Sequence, residues 1–255
     1  MFSEQEKPKI DSNEIERQDI DAGFEHLLNT YQKESQEKDS KVTPEVLESN
    51  IQHTMRVVEN AKRIAQAENI DVNKINIAAT LHDIGKLRHD LAGGIDTFNH
   101  HETGAKLAEE FLTNQLKKSP EFAESISQMI ARHSDIPFIR RVKPDIPRAE
   151  TREDFVLRDA DVLDMVNIHG LRKIVEIRQN PQSKFYQEDK GKLENAISSA
   201  LQSSKESVDI LITPEAKRIA EEYKKQTEKL LKRLEKEKAQ SLEDFKKVFD
   251  EFVKS

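Results

Sequence analysis

"AATLHDIGKLRHD", residues 78–90, is the stretch whose reading decides the fold. Ala78, Ala79, Leu81, Ile84 and Leu87 recur at helical spacing, which predicts a helix with one face in a core and His82-Asp83 beside that face. An imidazole and a carboxylate placed there are costly unless partnered, and a metal ion is one partner that suits both. Neighbouring helix positions point about 100° apart. The pair therefore reaches one cavity only from its edge, and a carboxylate so placed can bridge two ions.

Composition agrees with a helical chain. Of 255 residues 35% are charged and 5% aromatic, as in a protein with long solvated helix faces, and seven glycines leave little for a turn-rich β architecture. With no cysteine, disulfides, thiolate metal sites and thiol nucleophiles are excluded. No apolar run resembles a signal or approaches the roughly 18 residues of a membrane span, so the expectation is a cytoplasmic protein without a membrane partner. A net charge of −7 argues against a nucleic-acid-coating protein.

Three parts follow along the chain, with no internal repeat. Residues 1–43 are a polar arm in which Ile20, Phe24, Leu27 and Leu28 predict a helix over about 15–28. Residues 44–185 alternate apolar helical patterns with polar connections and hold seven of the eight histidines; His26, the eighth, reads as a packing or surface residue. Residues 186–255 are a helical extension. Thr213-Pro214 starts a long charged helix, and Ser241 to Asp244 caps a last one carrying Phe245, Val248, Phe249 and Phe252. That long helix could serve a coiled coil or homodimer, although its stripe is too short and irregular to require it. "VDILI", residues 208–212, is the one strand-like run, and it reads as a helix end or connector. The fold class expected is all-α: a bundle of six or more helices around a central metal cavity, with helical extensions at both ends.

The middle part carries the chemistry. His53, His82-Asp83, His100-His101, His133 and Asp161 each lie on or at the end of a different predicted helix, so no pair forms a local chelate and the fold must assemble them. Any one of these histidines alone reads as an ordinary core or surface residue. Their order along the chain is what changes that reading.

His53, then "HDIGK" at 82–86, then "DADVLD" with Asp161, resembles the H…HD…D signature of the HD-domain superfamily of metal-dependent phosphohydrolases. The resemblance covers roughly residues 50–180 and includes the H-x-x-x-G-A pattern at His100–Ala105. It implies that His53, His82, Asp83 and Asp161 are ligands of one divalent ion, and that His100 and His133 hold a second ion with Asp83 shared. The pattern selects His100 over His101, since the ligand stands four residues before the glycine. Imidazoles with carboxylates suit manganese, iron, cobalt, nickel or zinc. The Gly-Tyr-Pro extension of one class of cyclic-dinucleotide phosphodiesterases does not follow His133, so that substrate is not implied.

The resemblance further implies hydrolysis of a phosphomonoester or phosphodiester by a metal-activated water, on a nucleotide or other small phosphorylated substrate. Asp83 and Lys86 are the catalytic candidates. Lys86, at i+4 from His82, and Arg56, three residues after His53, are candidate phosphate ligands. Asp164 is a candidate to orient a ligand, and Asp159 is not. Arg140, Arg141 and Lys143, among Pro137, Pro144 and Pro147, read as a loop near the cavity mouth. Two other chemistries stay open: a di-iron oxygenase on a small polar substrate built from the same six ligands, and a non-catalytic module binding a nucleotide or partner.

Overall fold

The computed structural model describes residues 12–36, 42–87, 99–181, 183–189 and 191–255. The arm's first eleven residues, and Arg88, His89 and Asp90 of the opening stretch, lie outside them. Among the described residues there are twelve helices and no strand: α1 (Ser12–Gln36), α2 (Pro44–Ala67), α3 (Val72–Leu81), α4 (His100–Asn114), α5 (Pro120–Arg132), α6 (Pro137–Val142), α7 (Arg152–Val166), α8 (Ile168–Gln179), α9 (Lys184–Glu188), α10 (Leu193–Asp209), α11 (Pro214–Lys236) and α12 (Leu242–Val253). The all-α expectation therefore holds. Among the described residues no helix is long and apolar enough to cross a membrane.

Local chemistry sets the starts of these helices. Thr43, Asp71, Ser119, Thr151 and Asn167 accept backbone N–H bonds at the N-termini of α2, α3, α5, α7 and α8, and Pro44 and Pro120 occupy first-turn positions where a missing N–H is harmless. Ser241 and Asp244 form the capping box expected of α12. Thr213 departs from expectation, because its hydroxyl donates to Asp159 Oδ2 at 2.9 Å instead of capping α11. Residues 210–212 are the connector anticipated for "VDILI".

Two apolar clusters form. The larger gathers α1 to α7 and the start of α11, with Val57, Ile64, Ala78, Leu81, Leu112, Ile126, Leu157 and Ile219 fully buried. The smaller joins α8 and α10 to the end of α11 and to α12 through Leu171, Val175, Ala200, Leu230, Phe245 and Phe249. The arm's helix is longer than the sequence predicts and packs on the body: Leu27 and Tyr31 are buried in the larger cluster, and the ring of His26 stacks on Phe111 with centroids 4.2 Å apart.

Two local expectations are corrected. The helix read through residues 78–90 stops at Leu81, and His82 to Gly85 continue as tight turns in which Ile84 N–H donates to Leu81 O at 3.0 Å and Lys86 N–H to Asp83 O at 2.8 Å. The reason is a backbone approach at Gly85. A Cβ there would meet Gly104 N and His100 O, each at 2.7 Å. The basic segment read as a loop is partly the six-residue helix α6, started by Pro137 and followed by Pro144.

Candidate metal centre

The site lies where the end of α3, the start of α4 and the end of α5 meet the middle of α2 and α7. α4 packs on α5, so its first residue and the residue just past the end of α5 meet, which sets His100 Nε2 3.2 Å from His133 Nε2. α2 packs on α7, and His53 Nε2 is 3.3 Å from Asp161 Oδ1. The HD turn enters between these two pairs because Gly85 and Gly104 let backbone lie on backbone.

The donors fall in two sets, His53, His82 and Asp161 in one and Asp83, His100 and His133 in the other. Asp83 spans both. Its Oδ2 lies 3.2 Å from His53 Nε2 and 3.5 Å from His82 Nε2, while Oδ1 lies 3.4 Å from His100 Nε2 and 3.9 Å from His133 Nε2. The outer ring nitrogens are already committed. His82 Nδ1 donates to Ala79 O at 2.7 Å, His133 Nδ1 to Ile130 O at 2.6 Å and His53 Nδ1 to Asp164 Oδ2 at 2.7 Å. A neutral imidazole with its proton on Nδ1 presents a lone pair at Nε2, so these rings aim electron pairs at shared points. Lone pairs facing each other and two carboxylates repel unless a cation lies among them, and this donor set therefore fits divalent transition metals.

Protonation in the metal-free chain follows the same charges. Burial and Lys86 would lower the pKa of His53, but its bonds with Asp161, Asp164 and Asp83 outweigh both and push it up to about 10. Burial pushes His82 down to about 4. Burial would raise Asp83, yet Lys86, His82 and His53 hold it well below the usual carboxylate range; Asp161, facing His53 and His82, is likewise held low. His82 and Asp83 are buried, and Asp161, a quarter exposed, marks the open side.

The remaining candidates are placed as follows. Lys86 is ion-paired with Asp83 through an i,i+3 contact in the turn, not by the i+4 alignment with His82 that a helix would give. Arg56 closes on Asp164, Nε to Oδ1 at 2.5 Å and Nη2 to Oδ2 at 3.0 Å, and so braces the carboxylate that holds His53. His101 is buried with its ring edge-on to that of His100. Asp159 accepts from Ile212 N, Thr213 N and Arg158, anchoring the α10–α11 connection away from the site. Lys143 bonds Asn99 Oδ1 at 2.5 Å and Glu102 Oε1 at 2.6 Å beside His100, Arg140 pairs with Asp135, and Arg141 is exposed.

Two residues escaped the sequence reading. Asn167 donates to Asp164 Oδ1 at 2.7 Å while its own oxygen caps α8, a role the string "NIH" after an apolar run could have signalled. Ser134 sets its hydroxyl 3.1 Å from His133 Nε2, and a lone serine after a histidine carries no signal of that kind.

Comparison with known proteins agrees with this geometry. The family model for the HD domain matches residues 50–166. No curated protein matches the chain. Among solved structures, a predicted HD superfamily hydrolase from an uncultured Thermotogales bacterium is 22% identical with a TM-score of 0.50, over 82% of this chain and 90% of that one. YpgQ of Bacillus subtilis in complex with ADP is 17% identical with a TM-score of 0.54, over 87% and 96%, and a second YpgQ structure is 18% identical with a TM-score of 0.55 over the same shares. At such identities the likeness is one of fold. With the signature residues assembled as described, the chain belongs to the HD-domain superfamily, and residues 50–166 are its HD domain.

Proposed function

We propose that the chain is a metal-dependent phosphohydrolase acting on a nucleotide or another small phosphate ester. The observation that carries this reading is the Asp83 carboxylate with one oxygen toward each donor set, an arrangement suited to two neighbouring ions. His53, His82, Asp83 and Asp161 would hold one, and Asp83, His100 and His133 the other. Manganese, iron, cobalt, nickel and zinc all suit these donors. Such ions supply Lewis acidity toward phosphoryl oxygens and water of lowered pKa.

The chain's own residues do the rest. Lys86 balances Asp83 in the metal-free state, and once an ion takes over that charge its ammonium is available to a substrate phosphate. Arg56, closed on Asp164, orients His53 instead of binding phosphate. The side at Asp161, where the carboxylate is a quarter exposed, would admit the ester. A nucleotide is favoured as substrate class because the similar-fold YpgQ was solved with ADP.

The test is elemental analysis of protein purified without added metal, joined to a phosphate-release screen of nucleoside mono-, di- and triphosphates. One or two divalent ions per chain with phosphate release is the expected result, and Asp83→Ala should lose bound metal and activity together. Two irons with oxygen uptake and no phosphate release would replace this reading with the oxygenase one. Full activity in Asp83→Ala would remove the site assignment.

A further inference from the structure

Three buried hydroxyls among the described residues settle on a helix carbonyl one turn back. Thr54 donates to Asn50 O at 3.1 Å, Thr80 to Asn76 O at 2.8 Å and Ser207 to Ser203 O at 2.9 Å. Ser134 does not. It is 3% exposed, the carbonyl of Ile130 is taken by His133 Nδ1, and its oxygen lies 3.1 Å from His133 Nε2 and 3.5 Å from His100 Nε2.

Those distances have a specific meaning. Donors about 2.1 Å from one divalent ion stand about 3.0 Å apart at the edge of an octahedron and about 3.4 Å apart in a tetrahedron. The separations here are 3.2 Å between His100 Nε2 and His133 Nε2, 3.4 Å between His100 Nε2 and Asp83 Oδ1, and the two to Ser134 just given. Of these separations, His133 Nε2 to Asp83 Oδ1, at 3.9 Å, is the widest. We infer that Ser134 is a fourth protein donor, a neutral hydroxyl oxygen, for the ion held by Asp83, His100 and His133.

This inference rests on the metal centre of the proposed function and not on its phosphate chemistry. It makes the two ion sites unequal. The set with His53, His82 and Asp161 combines two imidazoles with Asp161 and the shared Asp83, whereas the set with Ser134 has two imidazoles, the shared Asp83 and an uncharged oxygen. With one negative charge fewer, the second site binds its ion more weakly, and the oxygen donor favours manganese or ferrous iron relative to a site completed by a soft ligand.

The experiment is a cobalt(II) titration of the metal-stripped 255-residue chain, read by absorption and by stoichiometry. The wild type should bind two equivalents. Ser134→Ala should keep the first with unchanged affinity and bind the second at least tenfold more weakly. Ser134→Cys should restore the second and add a thiolate-to-cobalt charge-transfer band, unmistakable in a chain with no cysteine of its own. A wild type that binds one ion, a Ser134→Ala protein that binds both as the wild type does, or a folded Ser134→Cys protein without the band would each overturn the assignment. Phosphate release on the same samples separates the two claims. Serine-dependent binding of the second ion without hydrolysis of any ester would sink the phosphohydrolase and leave the ligand standing, and hydrolysis with Ser134 indifferent would do the reverse.

Discussion

At the residue scale, His53 shows how a site without its ion keeps its charges in balance. Its Nδ1 is fixed on Asp164 and its Nε2 faces Asp83 and Asp161, so with a pKa pushed up to about 10 the ring keeps its second proton across the physiological range. Because the folded pKa exceeds the unfolded one, this proton stabilises the metal-free fold below about pH 6.5, and the contribution is lost as pH rises toward 10. For metal uptake the sign is opposite, since the ion must displace the proton. His82, neutral above about pH 4, releases none. Apparent metal affinity should therefore rise about tenfold per pH unit between pH 6 and 8, which titration of stripped protein at three pH values would check; a flat profile would mean that His53 holds no such proton. The identities of these groups were legible in the sequence because the signature orders them. Their couplings were not, because the partner of Arg56 is 108 residues away and no local spacing encodes it.

At the scale of elements, the HD turn shows why pattern alone extended α3 too far. The apolar positions Ile84 and Leu87 keep helical spacing and are buried, but what ends the helix is the approach of another backbone, invisible to any periodicity. Gly85→Ala should push the turn off α4, destabilising the protein by roughly 1–3 kcal/mol as overpacked sites do and weakening metal binding because His100 moves away from Asp83; urea unfolding and a metal titration read the two effects. A second support comes from outside the HD domain. Tyr31 of α1, fully buried, donates its hydroxyl to the Asp83 carbonyl at 3.0 Å. Tyr31→Phe removes that bond. Since Lys86 N–H still satisfies the carbonyl, the expected loss is only about 0.5–1.5 kcal/mol, and unchanged urea midpoints would show that α1 contributes packing alone. The sequence announced a helix here through Phe24, Leu27 and Leu28, but not which carbonyl its tyrosine would find.

At the scale of the molecule, the two apolar clusters separate the chemistry from much of the C-terminal mass. All six histidine and aspartate groups of the candidate metal centre lie on or beside helices of the larger cluster, while Ile168, Leu171 and Val175, which the sequence reading grouped with the middle part, pack with the C-terminal helices. The residues that made the division hard to foresee are those of α11, one continuous amphipathic helix whose Ala216, Ile219 and Ala220 face the first cluster and whose Leu230 and Leu234 face the second. Asn167 joins the clusters at the site itself, since it caps α8 with its oxygen and bonds Asp164 with its nitrogen. This arrangement can be probed from the far end. Phe249 is buried beside Phe245, with the Arg172 guanidinium 4.9 Å from its ring centre. Phe249→Ala should cost about 3–5 kcal/mol through the cavity it leaves, yet none of the six candidate metal donors belongs to the smaller cluster, so the folded variant should still bind its full complement of metal. Urea unfolding followed by circular dichroism, set beside a metal titration of the same sample, distinguishes the outcomes: a large loss of stability with metal stoichiometry intact means that the second cluster braces the fold without shaping the site, whereas loss of metal from still-folded protein would show that the Asn167 junction transmits the packing of α8 to Asp164 and His53.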